Sequence, residues 1–125
     1  MKVTAAATVL LVNDVARAVE YYRDKLGFEA SQWEVNPKHY GFAERGPCQL
    51  HFACFEGATP RPNQVEAPPD MFDVYVYVDD VDAVHAELVD RRADLLHGPV
   101  EQAYGLREIR VRDPHGYILA FGKLL

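Results

Sequence analysis

Only two cysteines and one tryptophan occur among the 125 residues, and no apolar run approaches the ~20 residues that a membrane span needs. Cys48 and Cys54 fall on one extended stretch, where a rise of ~3.3 Å per residue sets them roughly 20 Å apart. A disulfide needs Cα atoms within about 7 Å. Two free thiols result, which suits a reducing cytoplasm, and no base motif beside either marks a catalytic cysteine. Positive charge is also scarce. Thirteen Lys and Arg face nineteen Asp and Glu, for a net charge of −6, which argues against a nucleic-acid partner because phosphate binding needs a basic surface. An acidic surface suits a cationic ligand, attracted over a Debye length of ~8–10 Å, and also serves plain solubility. The histidines at 39, 97 and 115 fall in loops or turns without ligand spacing, and His85 reads as part of a helix.

What remains is ordinary globular material: 49% hydrophobic and 26% charged residues, enough for one domain with a real core. The N-terminal stretch ending at Val12 runs directly into a helix start, so it reads as a strand over Val9–Val12 rather than a signal peptide. Asn13 or Asp14 can cap a helix whose stripe is Val15, Ala18, Val19, Tyr22 and Leu26, and Gly27 supplies a left-handed stop. Extended segments follow over Phe28–Val35, Tyr40–Glu44 and Gln49–Phe55. Residues 57–69, with four prolines and no periodicity, read as a surface linker.

The pattern then restarts. Phe72–Val78 alternates, Asp80 caps a second helix with the stripe Val81, Val84, His85 and Leu88, and His97-Gly98-Pro99 lies in an irregular exit. Asp113-Pro114-His115-Gly116 suits a type I turn closing a final hairpin, with His115 expected in solvent. The corner Val12-Asn13-Asp14-Val15 recurs as Val78-Asp79-Asp80-Val81, 66 residues on, and Gln49-Leu50-His51-Phe52 recurs as Ile118-Leu119-Ala120-Phe121, 69 on. The chain is thus a duplicated strand–helix–strand–strand–strand unit: module one about 5–56, linker 57–69, module two about 70–125.

The repeated corner, Leu26-Gly27-Phe28 after the first helix, and YGLREIRVRDPHG together resemble the vicinal oxygen chelate superfamily, which includes glyoxalase I, extradiol dioxygenases and bleomycin-resistance proteins. The resemblance implies an α+β fold in which two paired βαβββ modules form a curled mixed sheet around a cleft. It places the usual metal-ligand positions at Ala7, His51, Asp73 and Ala120. A methyl group donates no electron pair, so Ala7 and Ala120 leave those positions vacant, and no metal or other cofactor is expected. The bleomycin-resistance branch is the most similar, through YGFAERGPCQLHF and through Tyr104-Gly105, where that branch carries Trp-Gly. That likeness implies a homodimer binding a small molecule of antibiotic type. The chain departs from the branch in Tyr104 and in His51, where an acidic residue is usual.

Strand parity gives the candidate site without reference to any family. Leu50, Phe52, Val74, Val76, Leu119 and Phe121 should face the helices. The opposite face collects Gln49, His51, Phe55, Asp73, Tyr75, Tyr77, Glu108, Arg110 and Ala120, with Tyr40 and Phe42 beside them. This face is too polar for a core and too aromatic for plain solvent, which is the composition of small-molecule sites. Trp33 is either a groove anchor or a dimer contact, and Tyr104 stands at the hairpin entrance. The plainer alternatives are a surface Glu108–Arg110 ion pair, worth about 0–1 kcal/mol if exposed, and strand tyrosines with wet hydroxyls. The leading expectation is a cytoplasmic, metal-free binding protein. The alternative is an enzyme of the glyoxalase or dioxygenase type, either metal-dependent or a metal-free lyase or isomerase using His51 and Asp73 as an acid–base pair.

Overall fold

Both helices start at an aspartate. Asp14 and Asp80 sit in extended conformation, and their carboxylates accept from the Arg17 and Ala83 N–H groups, each at 3.0 Å. Such caps satisfy amide groups that the first helical turn leaves without partners. In a computed structural model describing all 125 residues, the chain divides into two compact units, Met1–Pro60 and Arg61–Leu125.

The first unit runs β1 (Thr8–Leu11), α1 (Val15–Asp24), β2 (Glu29–Gln32), β3 (Tyr40–Arg45) and β4 (Cys48–Ala53). Its mixed sheet has the order β1-β4-β3-β2, with β1 parallel to β4 and the other pairs antiparallel. The expected stripe of α1 is buried, and Tyr22 packs on Phe52 with ring centroids 4.8 Å apart. Gly41 on β3 lets the helix approach closely, because a Cβ there would stand 2.7 Å from Val15 Cγ1.

The second unit repeats the plan with β5 (Val74–Tyr77), α2 (Val81–Asp90), β6 (Asp94–Glu101), β7 (Leu106–Arg112) and β8 (Ile118–Leu124), in sheet order β5-β8-β7-β6. Ile109, Val111, Leu119 and Phe121 are buried with Val81 and Leu88 of α2. The fold is α+β, two βαβββ units each holding an open four-stranded mixed sheet. Neither helix is long and apolar enough to cross a membrane.

Several expectations need correction. His97-Gly98-Pro99, read as part of an irregular exit, falls inside β6, the longest strand. Register shifts on either side of His97 take up Gly98 and Pro99, which is how a strand tolerates a residue with no N–H to give. The linker is not wholly a surface strap: the second unit begins at Arg61, Asn63–Val65 makes a short 3-10 turn, and Pro62 is buried. Gln64 Nε2 donates to the Gly116 carbonyl at 2.7 Å, fastening this segment over the closing turn. His115, expected in solvent, is half-buried there. The extended segments are also shorter than read, since β2 stops at Gln32 and β5 starts only at Val74. Both thiols are free but half-buried, and burial pushes the Cys48 thiol pKa up.

Candidate functional site

Register decides which side chains share the face turned away from each helix. In the first unit Val9 and Phe42 flank His51 on the neighbouring strands, and Tyr40 pairs with Ala53. Tyr40, Phe42 and His51 meet edge to face, with centroids 5.1–5.4 Å apart. The Tyr40 hydroxyl and His51 Nδ1 share a hydrogen bond of 2.8 Å, fixing the imidazole. Beside them lies a recess of about 290 Å³ whose walls include Phe42, His51, Gln49, Ser31, Glu29 and Glu44. The two glutamates are cross-strand partners, a like-charge arrangement that costs stability in a sheet. Trp33 and Phe55 make no ring contact with this cluster; each lies against His39, at 6.4 and 4.3 Å between centroids, and the Trp33 backbone N–H donates to the Tyr40 carbonyl at 2.9 Å.

In the second unit the corresponding face is polar. Tyr75 and Arg110 flank Ala120, while Tyr77 and Glu108 flank Gly122. Glu108 is fully buried at 0% exposure. Its Oε1 accepts from the hydroxyls of Tyr75, at 3.1 Å, and Tyr104. Its Oε2 accepts from Arg110 Nε at 2.8 Å. Arg110 also donates to the Tyr104 hydroxyl at 3.3 Å and to the Asp70 carbonyl at 2.8 Å, and its guanidinium lies 5.2 Å from the centre of the Phe72 ring. Phe72, Tyr75 and Tyr77 form a chain of ring contacts at 5.1–5.2 Å. A buried carboxylate survives only when charge and donors surround it, and this one has both.

The absence of a side chain at Gly122 makes the arrangement possible. A Cβ there would stand 2.0 Å from the Tyr75 hydroxyl oxygen and 2.7 Å from Cζ, so the Tyr75 ring lies across the glycine to reach Glu108. Burial, and then the Glu108 charge, raises the Tyr75 phenol pKa above its ordinary value of 10.0. Burial and the bond to Glu108 raise that of Tyr104 also, against the opposing pull of Arg110. Burial acts to lower the Arg110 pKa, but its bonds to Glu108 and Tyr104 carry it up on balance.

The sequence-predicted residues therefore fall into groups. Tyr75, Tyr104, Glu108 and Arg110 form one network, with Tyr77 stacked alongside. Tyr40, Phe42 and His51 form another, and Trp33 with Phe55 a third. The Glu108–Arg110 pair is buried at one end and 14% exposed at the other, which corrects the surface-pair alternative. The Tyr75 hydroxyl is bonded to protein rather than wet. Asp73 has other work: Oδ1 accepts from the Asn63 N–H at 2.7 Å and Oδ2 from the Ile118 N–H at 2.9 Å, tying the 3-10 segment to the start of β8. Phe72, His39, Gly122 and the Asp70 carbonyl were missed. Phe72 has core parity only if β5 extends back to it, and β5 does not.

The duplicated βαβββ unit defines the architectural class. The chain belongs to the Glyoxalase/Bleomycin resistance protein/Dioxygenase superfamily, whose sequence profile matches residues 4–121. Among solved structures it is similar to the bleomycin-binding protein from bleomycin-producing Streptomyces verticillus, complexed with copper(II)-bleomycin. That protein is 28% identical, with 97% of this chain and 96% of that one covered and a TM-score of 0.72. A glyoxalase-related enzyme from Clostridium phytofermentans shares the fold at 18% identity, with 100% and 98% coverage and a TM-score of 0.76. A superfamily member from Sphaerobacter thermophilus does so at 18% identity, 98% coverage of each chain and a TM-score of 0.73. No curated protein matches the sequence significantly.

The residues present do not fit the metal site of the metal-binding relatives. Ala7 and Ala120 offer methyl groups, and both oxygens of Asp73 are engaged by backbone amides. No group of three or more His, Cys, Asp or Glu side chains comes together to hold an ion.

Proposed function

We propose that this protein binds an aromatic or antibiotic-like small molecule and releases it unchanged, as a cytoplasmic homodimer. The observation that carries the reading is the surface around buried Glu108. Four rings (Phe72, Tyr75, Tyr77 and Tyr104) gather there, and Tyr77 and Tyr104 remain 75% and 52% exposed. Aromatic side chains left in water beside a fixed polar network cost solvation that a stacked ligand would recover, at roughly 0.5–1.5 kcal/mol per ring pair beyond area burial. The 28% identity to a bleomycin-binding protein supports the same class of ligand. In the first unit, Phe42 and His51 with the adjoining recess, and Trp33 with Phe55, offer further aromatic surface.

Titration with bleomycin and a panel of planar aromatics tests this. A ligand at a hundred times its Kd adds about 2.7 kcal/mol to native stability, so melting temperature should rise while chromatography recovers the ligand intact. Conversion of the ligand, or no shift across the panel, would overturn the reading. Light scattering reads the dimer directly. A second reading, an enzyme acting through His51, has one supporting observation in the Tyr40 bond that orients the imidazole. It requires that His51→Ala abolish a turnover seen in the parent protein.

A further inference from the structure

The hydrogen bonds around Glu108 fix more than geometry; they fix which way every proton points. A phenol has one proton to give and two lone pairs to offer. The Tyr75 and Tyr104 protons both go to Glu108 Oε1. Tyr104 accepts from Arg110, which leaves it a lone pair, and no protein donor reaches the Tyr75 oxygen. Arg110 itself is tied to Glu108, Tyr104 and the Asp70 carbonyl, stacked against Phe72, and only 14% exposed. The Tyr104 ring is half in water, and a ligand that reaches either phenol oxygen meets a lone pair and no proton.

We infer that Glu108 is the specificity-determining residue of this face, and that by holding both phenol protons inward it selects aromatic ligands bearing N–H donors, amidinium or ammonium groups above all, over carboxylates of the same shape. The inference rests on the proposed small-molecule role and names its ligand class. A cationic donor gains charge-assisted bonds to the two oxygens. A carboxylate offers lone pairs to lone pairs, and its acceptors go unmatched.

Glu108→Gln makes the inference sharp. Arg110 Nε keeps a carbonyl oxygen facing it, so the Gln amide nitrogen must take the Oε1 place, opposite the phenols. That nitrogen donates. Tyr75 and Tyr104 must then accept from it, and their own protons turn outward. The face changes from accepting to donating with almost no change of shape.

The test uses the full chain and three probes of matched size: 2-naphthamidine, 2-naphthoate and neutral 2-naphthalenemethanol, titrated by calorimetry. The amidine should bind about tenfold or more tightly than the carboxylate, the size of one charge-assisted hydrogen bond. In Glu108→Gln that preference should fall to parity or reverse. Tyr104→Phe, which leaves the buried charge in place, should weaken the amidine severalfold and leave the carboxylate no weaker, so the inference stays testable if the Gln variant does not fold. Carboxylate binding as tight as amidine binding would overturn the inference and make Arg110 the recognising group, while the proposed binding role stands. If none of the three probes binds, the inference falls, and the binding role is decided separately by the bleomycin titration.

Discussion

The two units share a backbone plan and differ in what they place on it. Phe42 and Arg110 are counterparts by register, as are Tyr40 and Glu108, His51 and Ala120, and Ala53 and Gly122. The first unit's face is a set of rings around one oriented imidazole, partly in water. The second unit's face is a buried ion pair sealed by phenols. Duplication thus preserved the strand ladder and the helix-facing core, which burial constrains, and let the other face diverge. Exchanging the character of counterpart positions measures that divergence.

The largest contrast should come at Phe42 and Arg110. Arg110→Met removes the only cation bonded to a fully buried carboxylate. Breaking one side of such a pair typically costs about 3–5 kcal/mol, because the remaining charge is left uncompensated. Phe42→Leu, at a half-open position, should cost less than about 1.5 kcal/mol. Denaturant midpoints of the two variants give the comparison, and equal small losses would show that Glu108 is not held by Arg110.

Gly122 and Ala53 provide the next step. Ala53 already carries its methyl group in a buried place, whereas a methyl at Gly122 would collide with the Tyr75 ring. Gly122→Ala is therefore expected to evict Tyr75 from Glu108 and to destabilise by about 1–3 kcal/mol, as overpacking does. The loss of the shifted Tyr75 phenol signal in NMR would accompany it.

Much of this was readable beforehand, and the limits have physical causes. The helix caps, the α1 stripe and the repeat follow from local rules, so Asp14, Asp80 and the 66-residue offset were legible. Parity put Tyr75, Glu108 and Arg110 on one face. It could not say that Glu108 is buried, because that takes the Tyr75 ring lying across Gly122 and the Tyr104 hydroxyl arriving from outside the strands. Asp73 shows the opposite limit. Its face was read from alternation, but a carboxylate one residue before a strand finds backbone amides, and those took both of its oxygens. His97-Gly98-Pro99 was not legible as strand because Gly98-Pro99 reads as a turn in isolation, and only pairing with β7 overrides it.

Alkaline titration reads the second unit's phenols directly. The Tyr75 and Tyr104 phenols hold their protons above the ordinary value of 10.0 in the folded protein. The unfolded chain releases the same protons near pH ~10. Between that value and the raised ones the native state binds more protons, so stability falls as pH rises, and the contribution is complete only below pH about 10. Phenolate absorbance should show a late-titrating component that Tyr75→Phe and Tyr104→Phe each reduce. If all tyrosines titrate together near 10, the network around Glu108 does not form.

The smallest expected effect lies at Tyr40, the first unit's counterpart of Glu108. Tyr40→Phe keeps the ring contacts with Phe42 and His51 and removes only the hydroxyl bonded to His51 Nδ1. A part-buried neutral hydrogen bond is worth about 0.5–1.5 kcal/mol, and water can replace the lost partner, so the low end of that range applies. The informative readout is the imidazole rather than the stability. With the hydroxyl present, Nδ1 is held in one tautomeric role; without it, the 15N shifts of His51 should move toward those of a freely exchanging ring. Binding of the aromatic probes should be nearly unchanged if ligands are recognised mainly by the second unit's face. A large loss of affinity in Tyr40→Phe would instead put His51 among the groups that touch the ligand, and the division of labour between the two faces would have to be redrawn.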